Sequence, residues 1–437
     1  MGLLWVVGSA CSVSAQQVTD PAAPDPAAPD SLHLAPLIDE ALARNPTLLA
    51  LRSSARAVEV RVAEQGTLPD PVLEVGAMNV GLFDLDVGMP ASMAPSIQLS
   101  QRFPAFGTRG LKEAVAAAGA RASDLEVAEA AWRLRAEVAY TFHALYALDR
   151  TLDVHQRTVD LLGDFQSVTR ALYSSGTGRQ GDVLRADVEV ARMDAEIRRV
   201  GALRAAQAAR MNALLDRPEG WSVPPAATPR LERSLPPRDS LMAWAARDRP
   251  ALARERAELE GALKAVELAD RSRWPDLMVS AQYGRRWGDS PRHMGGLMLG
   301  ASLPIHAGSR QSAFVEAAQA EARGAEAEVW ASRAEVAAEI LTLLAEIERA
   351  QGLLELYRDE ILPVAEANVA SSLASYRVGS TDFPTLVDAQ LDVDRYQIEY
   401  HTLEADYGTA LARLEAALGR LLPSPDASAP GPDPDVL

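Results

Sequence analysis

The sequence predicts a mainly α-helical chain with a small β part, made of one unit written twice: helix, β-hairpin, long helix, turn, helix. Three observations carry this. Tyr173-Ser-Ser-Gly176-Thr and Tyr376-Arg-Val-Gly379-Ser stand about 200 residues apart. They open a gapless match at one fixed offset that runs through Leu215 and Leu418. Along it Ala186 pairs with Ala389, Val190 with Val393, Arg192 with Arg395, Glu196 with Glu399 and Arg210 with Arg413. A duplication of this length makes each half a structural unit. Second, Val315, Ala322, Val329, Val336, Leu343, Ala350, Tyr357 and Val364 form a seven-residue seam, the spacing of long packed helices. Third, Ser96–Phe103 and Gly296–Leu303 alternate apolar and polar residues, the period of a strand.

Composition agrees. Hydrophobic residues make up 48% but aromatics only 5%, which favours extended helical packing over one large globular core. The net charge of −17 argues against a nucleic-acid partner, whose phosphates need a basic face.

Residues 1–15 read as a signal peptide: a short apolar stretch, Leu3–Val7, precedes the small-residue pattern Val13-Ser-Ala15. No positive n-region precedes it, which leaves room for a start further upstream. Cleavage after Ala15 is favoured over lipidation of Cys11, because Gly8-Ser-Ala-Cys11 fits a lipobox poorly; cleavage removes the only cysteine. No later run of about 18 apolar residues occurs, so any membrane crossing must use strands.

Residues 16–31 form a Pro/Ala/Asp tail expected to be disordered. The first repeat spans 32–217. Its first helix, Leu32–Gln65, breaks at Asn45-Pro46, and Pro69-Asp-Pro71 ends it. Val72–Asn79 and Ser96–Phe103 make the hairpin at 72–103. The long helix then runs from about Leu111 to Tyr173. It carries two seams, Leu125/Trp132/Ala139/Tyr146 and Val138/Leu145/Leu152/Val159. The seams are one residue position out of phase, about 100° around the helix, so this helix is expected to pack on two neighbours at once. A turn at 174–181 leads to a return helix, 182–216. Residues 218–240 form a Pro-rich linker. The second repeat, 241–421, has a helix at Leu241–Ser272 broken at Arg249-Pro250. Its hairpin lies at 277–303 (Leu277–Arg285 and Gly296–Leu303). A long helix, Gln311–Tyr376, and a return helix, Asp382–Leu421, complete it. Residues 422–437 form a second disordered tail. A helix of about 60 residues is roughly 90 Å long, suited to a conduit crossing an aqueous compartment.

Four strands of eight to ten residues match the length that crosses a bilayer at a tilt. Alone they leave unpaired edge groups in lipid, each costing several kcal/mol. Several subunits must therefore share one barrel, and three would give twelve strands. The alternative is a small soluble sheet capping a helical bundle.

The ordered, duplicated pattern resembles the outer-membrane efflux protein family, the TolC-like exit ducts. Its carriers are Leu68-Pro-Asp-Pro71, Gln101-Arg-Phe-Pro104 with Gly107-Thr-Arg109, and the two Tyr-x-x-Gly turns with their following helices. The resemblance covers about Leu32 to Leu421. It implies a homotrimer in outer-membrane lipid, with a transmembrane β-barrel continued by a periplasmic coiled-coil barrel. It also implies partners: a periplasmic adaptor (membrane fusion) protein docking at the helical tips, and an inner-membrane pump, of the resistance-nodulation-division type. The first two motifs look most like the branch that serves heavy-metal efflux.

The resemblance places the periplasmic tips at Gly176 and Gly379. It places the closed aperture on the helix after the second turn, Asp382-Phe-Pro-Thr385-Leu-Val-Asp388. Asp388 falls on a family aspartate position, whereas Thr385 stands where an acidic residue is common. In the first repeat Asp182 is the counterpart of Thr385, and Arg185 that of Asp388. Three copies of Asp388 would make a ring biasing cations, and Asp388 with Arg185 would pair neighbouring helices. Each of these residues, with Asp382, also reads as an ordinary solvated helix face, and each glycine as a helix cap.

The six histidines show no ligand-pair spacing. Met78, Met89, Met93, Met278, Met294 and Met298 cluster in or near the hairpins. Apolar filler facing lipid or loop is the favoured reading there, over capture of a soft metal. No cofactor motif, nucleophile motif or phosphate loop occurs, so an enzyme is not expected. The reading from a different class is a soluble periplasmic coiled-coil adaptor or scaffold.

Overall fold

The computed structural model describes residues 31–78, 93–229, 235–286 and 292–423. The signal peptide with Cys11, residues 16–30 of the N-terminal tail, Met89, and residues 424–437 of the C-terminal tail lie outside them. The element order is α1 (Leu34–Arg44), α2 (Pro46–Gly66), β1 (Val72–Met78), β2 (Met93–Phe103), α3 (Thr108–Ser174) and α4 (Gln180–Leu214). It continues with α5 (Arg238–Asp248), α6 (Pro250–Arg271), β3 (Leu277–Arg286), β4 (Arg292–Ala301), α7 (Ser312–Leu356), α8 (Leu362–Arg377) and α9 (Phe383–Leu418). π-Helical turns occupy Ala307–Gln311 and Tyr357–Ile361.

The four strands form one antiparallel sheet in the order β1-β2-β3-β4. The helices joined to them line up in the same order: α2 packs on α3, α3 on α6, and α6 on α7. Farther from the sheet the row becomes α4, α3, α9 and α8. Sheet and helices are thus one continuous wall four elements wide, with open edges at β1 and β4. α3 is its spine: 67 residues, about 100 Å at 1.5 Å per residue.

Register sorts the strand residues into two faces, because cross-strand partners share a face. Leu73 pairs with Leu99, Val75 with Ile97, and Ile97 with Tyr283. Ala281 pairs with Leu297 and Val279 with Leu299. This face is apolar yet open: Leu297 is 83% and Leu299 87% exposed. The other face pairs Glu74 with Gln98, Gln98 with Gln282, and Ser100 with Ser280, and Ser96 and Ser280 on it are buried. An open aliphatic face backed by a more enclosed polar one inverts the arrangement of a water-soluble sheet. It is the alternation of a membrane barrel strand.

The methionines do not follow the expectation of lipid-facing filler. Met78 pairs with Met93, Met278 with Gly300, Met298 with Ser280 and Met294 with Gly284. All five therefore stand on the polar face.

Both seams of α3 are used. Ala139 and Tyr146 of one, and Val138 and Leu145 of the other, are almost wholly buried, each burial worth about 1.5–3 kcal/mol for the larger side chains. The seam of the second repeat is buried from Val315 through Ala350 and then departs from expectation, since Val364 is 70% exposed. The cause is local. Pro363 has no N–H, so the carbonyl of Asp359 has no α-helical donor. The backbone inserts a π turn at Tyr357–Ile361. The added residue rotates everything beyond it and carries Val364 out of the seam.

The Pro-rich linker is packed over its first part. The Leu32 N–H donates to the Pro225 carbonyl at 2.9 Å, and the Ala227 N–H to the Leu32 carbonyl at 2.9 Å. Val223 and Ala226 join Leu37, Ala41 and Leu48 in the core of the first repeat. The second repeat has its own core, built on Leu241, Ala245, Leu252, Ile340 and Leu414.

Candidate aperture and helical tips

The wall ends, away from the sheet, in two turns. Gly176 (φ 79°) and Gly379 (φ 73°) both take the left-handed conformation that glycine adopts without steric cost. The Gly176 N–H donates to the Tyr173 carbonyl and the Gly379 N–H to the Tyr376 carbonyl, each at 3.0 Å. Thr177 donates to Leu172 at 3.0 Å and Ser380 to Ser375 at 2.9 Å. These bonds close the carbonyl ends of α3 and α8 as a left-handed cap does. The identical placement follows from the duplicated Tyr-x-x-Gly. A cleft of about 770 Å³ opens between the two turns, bordered by Arg179, Asp182, Arg377, Asp382 and Thr385.

Behind the turns an apolar plug joins the four helices. Leu162 and Phe165 come from α3, Ala186 and Met193 from α4, Tyr376 from α8, and Phe383, Leu386 and Val387 from α9. Tyr376 and Phe383 pack with ring planes tilted by 55° and centres 5.6 Å apart. Pro384, within the first turn of α9, costs nothing there because its missing N–H has no partner to lose.

The expected polar residues surround this plug, with distinct tasks. Asp382 is the N-cap of α9. Its Oδ1 accepts from the Thr385 N–H at 3.1 Å and from Thr385 Oγ1 at 2.5 Å. The Thr385 hydroxyl, followed by its backbone N–H, holds the Asp382 carboxyl below the usual aspartate range. Thr385, standing in place of an acidic residue, is thus committed to the cap. Asp182 lies in the first turn of α4, where a negative charge suits the helix dipole. Arg185 and Asp388 do meet: Nη2 and Oδ1 are 3.9 Å apart, bridging α4 and α9 of one chain. Both side chains remain exposed, so the pair is worth under about 1 kcal/mol in water.

Deeper on α9 lies a group that motif reading did not single out. Gln390 Nε2 donates to Asp394 Oδ1 at 2.8 Å. Asp394 is 4% exposed, and burial pushes its carboxyl above the usual range, against the pull of Thr158 and Gln390. His155 of α3, also buried, is pushed down by burial, with Asp394 and Glu196 opposing. Polar side chains at 390 and 394, one turn apart beside an apolar seam, were the available signal. Which helix would cover them was not readable.

Three glutamates, Glu255, Glu258 and Glu328, bring carboxylate oxygens together and are the only such acidic or histidine cluster among the described residues. Arg254 sits 2.6 Å from Glu255 and 3.8 Å from Glu258, so the cluster already has its counter-charge. No helix among the described residues is long and apolar enough to cross a membrane.

Residues 242–420 match the family profile described as outer membrane efflux protein. No curated protein matches the chain in sequence. Among solved structures it is similar to the outer-membrane channel OprN, at TM-score 0.77 and 18% identity over 88% of this chain and 89% of that one. It is similar to the outer membrane protein VceC of Vibrio cholerae, at 0.74 and 17% over 89% and 96%. It is also similar to CusC, whose structures concern folding and transmembrane channel formation, at 0.77 and 14% over 89% and 92%. The neighbours show the fold. The chain has the fold of these outer-membrane channels, and residues 242–420 match the outer membrane efflux protein profile.

Proposed function

We propose that three copies of this chain form the passive exit channel of a tripartite efflux system. The observation that carries this is the sheet: four strands with free edges at β1 and β4, an aliphatic face turned outward and a polar face more enclosed. In lipid those edges must be paired, and three copies in sequence close twelve strands. The polar face then lines the lumen, and the helical wall continues it into the periplasm. A soluble scaffold has no use for Leu297 and Leu299 in the open.

In this reading the tips at Gly176 and Gly379 dock a periplasmic adaptor, and an inner-membrane pump of the resistance-nodulation-division type supplies the energy. Asp388, Arg185, Asp182 and Asp382 stand at the aperture. The Arg185–Asp388 pair ties α4 to α9 in the resting state, and three Asp388 carboxylates bias passage toward cations. The motifs Leu68–Pro71 and Gln101–Arg109 favour heavy-metal cations as cargo over drugs or other small molecules.

Conductance of the detergent-extracted protein in a planar bilayer tests the reading. Discrete cation-preferring events are expected, with lower cation preference in Asp388→Ala. A water-extractable particle that never inserts would defeat the channel. An Asp388→Ala channel identical to the parent would remove the aperture role alone.

A further inference from the structure

Where the strands meet the helices, a second cleft of about 710 Å³ opens between α3, α6 and α7. It lies on the polar side of the sheet. Asp276, at its border, reaches Arg102 at 3.4 Å, and Arg102 pairs with Met278 on the polar face. Three cations stand around the cleft: Lys112 of α3, Arg271 of α6, and Arg310 in the π turn before α7. All three are exposed, and none pairs with a carboxylate among the described residues. Other arginines nearby are paired, Arg102 with Asp276 and Arg273 with Asp270 at 3.3 Å. Two carboxylates border the cleft. Asp276 is already held by Arg102 and by the Ala105 N–H at 2.9 Å. Glu321 alone is left to offset the three cations. The N-terminal end of α3 adds to the positive field. Thr108, its first residue, borders the cleft, Gly107 before it makes no side-chain cap, and the first turn carries no acid. Arg271 lies beside that end, since a Cβ on Gly107 would be 3.9 Å from Arg271 Cζ.

Much of the remaining lining is apolar and open. Trp274 is 61%, Leu303 72% and Phe314 50% exposed. Arg310 Cζ stands over the Phe314 ring, 5.6 Å from its centre, so charge and ring share one surface. Large apolar side chains left open in a concave site mark a place where a ligand covers them. Uncompensated cations beside them set the sign of that ligand.

We propose that this cleft binds an amphipathic organic anion. Its carboxylate or sulfonate is drawn into the field of Lys112, Arg271 and Arg310, and its flat apolar body covers Trp274, Leu303 and Phe314. The proposal rests on the reading of the polar face as the lumen. It adds a second cargo class to the metal cations that the motifs favour. The two charge signs act at different depths, because Asp388 stands near the helical tips and this cleft at the foot of the sheet. Three copies of the chain would set three such clefts around one lumen, and basic side chains in a ring favour anions in a pore.

The test is calorimetric titration of the full-length protein, in a neutral detergent at low salt, with sodium naphthalene-2-sulfonate. Naphthalene-2-methanol and sodium sulfate serve as controls. The parent should bind the sulfonate about tenfold more tightly than either control. Lys112→Gln/Arg271→Gln/Arg310→Gln should weaken that binding about tenfold, and Trp274→Ala/Phe314→Ala about threefold. Should the triple variant fail to assemble, Arg310→Glu alone should weaken binding by at least about threefold. A parent that does not bind, or charge variants that bind as tightly as the parent, would overturn the proposal. So would equal affinity for the neutral alcohol, which marks an apolar surface only, or for sulfate, which marks a plain anion site. Conductance without naphthalenesulfonate binding rejects only this inference. Charge-dependent binding to a protein that never conducts rejects only the channel.

Discussion

The duplicated unit breaks its first helix twice at the same place, at Asn45-Pro46 and at Arg249-Pro250, and the two breaks are held differently. Asn45 works within the first repeat: its Oδ1 caps α2 by accepting from the Leu48 N–H at 3.1 Å, and its Nδ2 donates to the Leu214 carbonyl at 3.1 Å. Arg249 works across the two repeats. It reaches Glu129 of α3 at 3.0 Å and Glu339 of α7 at 3.2 Å, while Glu129 also accepts from the Ala251 N–H at 3.3 Å. Proline fixes the break in both repeats. In the first it is sealed within one repeat, and in the second it clamps the two repeats together. The long helices diverge likewise. α3 packs on α1, α2, α4, α6 and α9, whereas α7 is covered by α5, α6 and α9 and leaves Trp330 64% exposed. One copy of the unit became the spine of the wall and the other its edge.

The largest effect is expected at the clamp. Arg249→Ala leaves the buried Glu129 carboxylate only Arg133 at 3.4 Å and the Ala251 N–H at 3.3 Å, and should cost about 1.5–3 kcal/mol, read as a urea midpoint in detergent. An effect no larger than that of Asn45→Ala would break the contrast between the two sites. Next is the pH response of the spine. Burial lowers the His143 imidazole to about 4, so the folded state holds it neutral while the unfolded chain protonates near pH 6.5. Its contribution is whole above pH 6.5 and is lost as pH falls from 6.5 to about 4. Thermal midpoints should drop over that window, and His143→Asn should flatten the drop; an unchanged slope refutes it. Third, Trp330→Glu on the open face of α7 should leave the single chain folded but weaken the trimer, as native mass spectrometry would show. Trimer yield equal to the parent would place α7 away from the subunit boundary. Asn45→Ala should cost about 1 kcal/mol, the ordinary loss of an N-cap. Smallest is Pro363→Ala, expected to change stability by less than about 1 kcal/mol. A structure of it should show Tyr357–Ile361 as regular α-helix; a persisting π turn would show that proline is not its cause.

Much of this was legible in one dimension. The Tyr-x-x-Gly repeat located both tips, the out-of-phase seams gave α3 its several neighbours, and both X-Pro breaks fell where expected. Less was legible where one motif served two backbones. Gly107-Thr-Arg109 and Gly308-Ser-Arg310 read as the same signal. Yet Gly107 takes a left-handed φ of 85° before α3, and Gly308 lies inside a π turn before α7. The seam beyond Tyr357 was extrapolated straight through Pro363, because period counting has no term for an inserted residue. The pairing of Arg185 with Asp388 was legible as chemistry. Its distance depended on how the apolar plug seats α4 against α9.

By itself the sequence determined the unit, its duplication and the helical and strand segments, because these follow from periods of two and seven, from glycine at positive φ and from proline's missing N–H. Only the tertiary structure decided which copy became spine and which edge, which face carries the strand methionines, and what covers Asp394. Those depend on register and on contacts between residues far apart in the chain, which local pattern does not encode.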